Sequence, residues 1–172
     1  MTSEWQDFFG LLSQVSVTAF AVLLATLQLA RRRWMGSKLK EVSAVLALLE
    51  LLVVLLASLV ASMPGGYWRV GYIVMGVVGL IGVAWHVSAS FRYDEEADEF
   101  DDQQVRWGVP VSTVVYSGVV IFAAGGLVGG VAILSIWLIF AGSGEAWLLL
   151  DADRSARPHA DSQRTGGVES AR

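Results

Sequence analysis

The chain contains no cysteine. That absence removes disulfides, thiolate nucleophiles and cysteine-ligated metals from consideration. Asparagine is missing as well, so no N-glycosylation sequon can occur. Histidine appears twice, as His86 and His159, too few to build a histidine-rich metal site within one chain. Charge is scarce: 16% of residues are charged and 55% are apolar, whereas soluble domains carry about a quarter charged residues. So few charges cannot coat a water-soluble globule of this size. The net charge of −4 offers no basic face for nucleic acid outside one short loop. Neither H-E-x-x-H, G-x-S-x-G nor G-x-x-x-x-G-K-[S/T] occurs, so the expectation is a protein without catalytic activity, metal or cofactor.

What is present is a set of long apolar stretches. Residues 8–30, 42–63, 69–90 and 111–141 each reach the roughly 20 residues that cross about 30 Å of hydrocarbon. The sequence therefore predicts an all-α integral membrane protein with four transmembrane helices in a compact bundle over residues 1–150. Residues 151–172 are rich in Asp, Arg, Ser and Gly. They cannot bury enough apolar area to offset the entropy of ordering, and are expected to form a disordered polar tail. The first stretch follows Glu4 and Asp7 rather than a basic segment, which argues against a cleaved leader.

The charges between the stretches predict an orientation. Arg31, Arg32, Arg33, Lys38 and Lys40 crowd the first loop, while the amino-terminal segment has no basic residue. Positive-inside counting puts loops 31–41 and 91–110 in the cytoplasm and the amino terminus outside, in the cell (plasma or inner) membrane. Trp5, Trp34, Trp68, Trp107 and Trp147 lie just beyond the span ends, where amphipathic rings prefer the headgroup layer. The fourth stretch is overlong. A straight helix from Val111 to Phe140 would measure about 45 Å, which tilt or a projecting end could absorb. A hairpin at Gly125–Gly130 is the alternative. It is disfavoured because no polar residue marks the turn and its freed backbone groups would need partners within the membrane.

Glu50 interrupts the most apolar stretch, about 12 Å from its cytoplasmic end. An acidic residue near a helix centre costs about 2.5–3.5 kcal/mol on insertion scales, which the surrounding Leu and Val offset. Such a residue is either an ion or proton site or a protonated acid that fixes packing. With this orientation Gln28, His86 and Tyr116 share the cytoplasmic third with Glu50. The four are the expected ion or proton site, with His86 able to exchange a proton with Glu50. Gln14 and Gln28 are close to four helical turns apart and so lie near one face, which is expected to line a path or to pack on protein. Gly76, Gly79 and Gly82, with the pairs Gly125/Gly129 and Gly126/Gly130, are read as helix-packing positions. The run from Asp94 to Asp102 holds seven carboxylates in nine positions and reads as a solvated loop.

Two functions fit these readings. One is an oligomeric ion or proton channel or transport subunit built around the polar cluster. The other is a non-catalytic accessory or scaffold packed against a larger membrane complex. Expected partners are the lipid bilayer and either a homo-oligomer or another membrane protein.

Overall fold

The computed structural model describes residues 2–29, 38–93 and 104–155. The basic triplet Arg31–Arg33, the acidic run 94–102 and the tail beyond residue 155 lie outside the described residues. Among the described residues all regular structure is helical: α1 (Ser3–Leu29), α2 (Lys38–Ser62), α3 (Trp68–Arg92), α4 (Val109–Gly125) and α5 (Val128–Ser155). A π-helical turn, Gln104–Gly108, leads into α4. Four of these helical segments are long and apolar enough to cross a membrane: Ser3–Leu29, Lys40–Ser62, Trp68–Arg92 and Arg106–Gly125.

α2 is the axis of the bundle, packing against α1, α3 and α5, while α4 packs on α3 and α5. Its sequence explains the position. Ala47, Glu50, Leu51, Val54, Ala57, Ser58 and Ala61 recur at helical spacing and are all enclosed. The small residues among them let neighbouring backbones close in. The α2–α3 connection turns through Gly65 and Gly66, both at positive φ (119° and 76°), a region that L side chains rarely adopt.

The stretch expected as a single span over 111–141 is two helices. The chain breaks at Gly126, which adopts φ 76°. The Gly126 N–H donates to the Ala123 carbonyl at 3.2 Å and the Leu127 N–H to the Phe122 carbonyl at 2.8 Å. These are the paired bonds of a Schellman closure. The backbone groups that the sequence argument left stranded are thus satisfied within the turn itself. The glycines are not spaced motifs of one helix: Gly125 ends α4, and Gly129 and Gly130 begin α5.

α5 runs back along α4. A Cβ at Gly118 would lie 2.9 Å from Leu134 Cδ1, and one at Gly130 would lie 2.5 Å from Phe122 Cδ2. These contacts are nested about the turn, as an antiparallel hairpin requires. Further along, Ser135 meets Tyr72, and Gly142 meets Ala47 and Glu50 of α2. The turn lies at the bundle end that also holds the start of α1, since Gly129 is 3.8 Å from Trp5 by the same Cβ construction. Arg106–Gly125 already supplies 20 residues, about 30 Å, the length that one crossing would need, and Gly126 follows directly. Ser3 at the start of α1 and Ser155 at the end of α5 therefore lie at opposite ends of the bundle.

Candidate functional site

Three of the four residues expected to converge do face the interior. Glu50 is 0% exposed, His86 3% and Tyr116 1%. Each comes from a different helix: α2, α3 and α4. Packing fixes their levels. A Cβ at Gly82 would lie 2.8 Å from Leu49 Cδ2 and 3.1 Å from Leu46 Cδ1, so Glu50 is level with Gly82. His86 is one turn, about 6 Å, further along α3. The Tyr116 ring lies directly against Gly79, nearly one turn the other way. The three side chains are thus spread over about 10 Å of the bundle axis.

Glycine makes these placements possible. Tyr116 occupies the space that any side chain at position 79 would need. The Glu50 carboxylate rests against Gly142 of α5, where a Cβ would lie 3.4 Å from Oε2, 3.3 Å from Glu50 Cβ and 3.1 Å from the Ala47 carbonyl oxygen. A Cβ at Gly76 would lie 2.7 Å from Val120 Cγ2, so α3 meets α4 through its glycine face. Glu50 stands midway along α2, because that helix begins at Lys38 rather than near residue 42.

Direct proton exchange between Glu50 and His86 has no hydrogen bond to run through. Neither ring nitrogen of His86 has a hydrogen-bond partner among the described residues. The loop and tail carboxylates apart, no group of three or more His, Asp or Glu side chains is gathered for a metal among the described residues.

Gln28 and Gln14 do not join this interior. Both are exposed on α1, where Leu27 and Ser13 with Ser16 occupy the buried positions beside them. The two carboxamides share a face, but it is the outer one. The small hydroxyls of the same helix are satisfied locally: Ser16 donates to the Leu12 carbonyl, Thr18 to Gln14 and Thr26 to Val22, at 2.7–2.9 Å.

A second buried polar group was not anticipated. Tyr72 of α3 joins Ser58 of α2 and Ser135 of α5, with Oη 3.2 Å and 3.3 Å from the two hydroxyl oxygens. Ser135 also donates to the Val131 carbonyl at 2.8 Å. All three side chains are enclosed. Phe9 packs on the Tyr72 ring, centroids 5.5 Å apart. A sequence signal exists in hindsight: Ser58 is eight residues from Glu50, and Ser135 seven from Gly142, so each pair shares a helix face.

The fold defines a class: an all-helical protein with four helices long and apolar enough to cross a membrane. No protein-family model, curated protein or solved structure matches the chain.

Proposed function

We propose that this chain is a non-catalytic subunit of a membrane assembly, resident in the cell membrane, whose outward α1 face meets another transmembrane helix. The observation that carries this reading is Gln14. It lies near the middle of α1, at the depth of greatest apolarity for a spanning helix, and on the outside of the bundle. A carboxamide facing hydrocarbon there costs free energy that a neighbouring helix recovers by hydrogen bonding. Positive-inside counting argues for an outside amino terminus, and the hairpin would then bring the end of α5 to the cytoplasmic side. The test is the mass of the protein extracted from its own membrane in mild detergent. A species heavier than one chain supports the reading, and a strict monomer overturns it.

A second reading, ion or proton transfer by an oligomer, is favoured by a specific observation. Glu50 is an enclosed carboxyl flanked along the bundle by His86 and Tyr116 from two other helices. Ionisable groups within spanning helices mark ion paths more often than chance would place them. Proteoliposome flux decides between the two. Conduction by the wild type that Glu50→Gln abolishes favours transfer; no conduction leaves the assembly reading.

A further inference from the structure

We infer that His86 is an acid-sensitive latch: protonation of its imidazole releases the start of α4, residues 106–114, from α2 and α3 at the Lys38 end of the bundle. The inference goes beyond both readings of function and depends on neither. His86 is 3% exposed, and both ring nitrogens are enclosed without a hydrogen-bond partner. A neutral imidazole tolerates that enclosure at some cost. An imidazolium there is a buried charge with two unanswered N–H groups, which is far more costly. Histidine is also the side chain that changes charge near neutral pH.

The imidazole lies beside the least firmly packed part of the fold. By the register that sets Gly82 against Leu46 and Leu49, His86 is level with Val42 and the first turns of α2. By the register that sets Gly79 against Tyr116, it is level with Val109, where α4 begins. No residue from Arg106 to Val114 is fully enclosed; the first on α4 are Val115 and Tyr116. The segment is entered through the π-helical turn Gln104–Gly108, a rare geometry that recurs at functional sites. Beyond it, Tyr116 is seated against Gly79 and fixes the rest of the helix. The start of α4 therefore has a pivot at Tyr116 and little burial of its own, which is the profile of a locally opening element.

The titratable groups around His86 leave it the trigger. On α2 they are Glu50, one turn toward Trp68, and Lys38, Lys40 and Glu41 at the helix start. Lys38 and Glu41 hold each other at 2.8 Å, and Glu50 packs on Gly142 of α5. Tyr116 belongs to α4, Arg106 to the turn before it, and Arg92 and Tyr93 to the end of α3. α5 adds Glu145, three residues beyond Gly142. None of the described side chains is hydrogen-bonded to His86. Once charged, the imidazole gains its acceptors from water, and water reaches it when the loosely packed start of α4 swings away. A proton that binds the open form more tightly shifts the population toward it as pH falls.

The test uses the full-length chain in lipid nanodiscs, and the lack of native cysteine allows paired spin labels at chosen positions. Val45→Cys on α2 with Val111→Cys on α4 reports the Lys38 end. Leu59→Cys with Ile121→Cys reports the other side of the Tyr116 pivot, and all four positions are exposed. From about pH 8 to about pH 5 the first distance should lengthen by roughly 2–5 Å, the scale of helix shifts in switching proteins, while the second stays fixed. His86→Phe should abolish the lengthening, and so should His86→Gln, which guards against a folding defect in the first variant. Glu50→Gln and Glu145→Gln should leave it intact. With His159→Gln, His86 is the one imidazole left, and its nitrogen resonances should titrate over the same pH range as the distance. No lengthening in the wild type, lengthening that survives both His86 variants, or titration of His86 without movement overturns the inference.

Discussion

Glu50 on α2 and Gly142 on α5 face each other in the middle of the bundle, so closely that a side chain at 142 would crowd Glu50 and the backbone beside it. A Cβ there would lie 3.1 Å from the Ala47 carbonyl oxygen and 3.3 Å from Glu50 Cβ. Both are held by the α2 backbone, so neither yields easily. Gly142→Ala should destabilise the bundle by about 1 kcal/mol, and Gly142→Leu by about 3 kcal/mol, through overpacking. Gly144→Ala is the control, because nothing lies within 4 Å of a Cβ there. Denaturant unfolding in detergent reads the difference, and equal stability of the 142 and 144 variants would remove the contact.

The Tyr116 ring and Gly79 form a second such fit, and here the obstructing group is a side chain. Gly79→Ala should cost about 1–3 kcal/mol by the same overpacking. Shortening the ring as Tyr116→Leu opens the space, so the double variant should recover part of the loss. A double-mutant cycle tests this, since residues in contact show coupling of about 0.5–3 kcal/mol and distant ones do not. Additive effects would mean the two helices relax apart instead.

How far the sequence carried the structure can be judged at particular residues. The three long helices before residue 93 were legible, because each coincides with an apolar run of roughly 20 residues. The fourth was misjudged at Gly126, and the reason is local. The apolar run starts at Val111, but the helical segment begins at Arg106 and has 20 residues by Gly125, about the length that one crossing would need. A turn closed by its own backbone needs no polar residue to announce it. Glu50, His86 and Tyr116 could be grouped by depth along their helices but not by facing, so their shared burial follows only from the packing of α2, α3 and α4. The outward facing of Gln14 and Gln28 was not, since periodicity groups residues on a face without saying what the face meets. Ser58, Tyr72 and Ser135 escaped notice because hydroxyls satisfied by their own helix look identical in sequence to those that bridge helices.

That hydroxyl bridge makes a prediction of modest size. Tyr72→Phe removes both inter-helix bonds while keeping the ring on Phe9. Ser135 retains its bond to the Val131 carbonyl, so only part of the network loses a partner. The expected loss is about 0.6–2 kcal/mol, the range found for inter-helix hydrogen bonds in membranes. Ser58→Ala added to Tyr72→Phe should cost less than it does alone. A larger penalty from Tyr72→Phe, about 4 kcal/mol, would point to misplacement of α5 rather than loss of these bonds.

The hairpin has the widest consequence, because it decides on which side the chain leaves the bundle. Arg69 of α3 lies against Gly126, bringing a guanidinium to the carbonyl end of α4, where cations are favoured. The Trp68 ring beneath it, 5.6 Å from the guanidinium carbon, matches an amphipathic residue pair at a membrane boundary. Ser155 at the end of α5 lies at the bundle end of Lys38 and opposite Ser3. Single cysteines placed as Ser3→Cys, Lys38→Cys and Ser155→Cys should therefore divide two against one when labelled by an impermeant maleimide on sealed vesicles. Gly126→Ala forces a side chain into φ 76° and against Arg69, so it should lower stability by about 1–2 kcal/mol. Removing the guanidinium with Arg69→Ala relieves the contact but not the backbone strain, and should rescue that loss only in part. Labelling of Ser155→Cys from the side of Ser3→Cys would mean that 111–141 crosses as one rod, and the packing of Gly142 on Glu50 would fall with it.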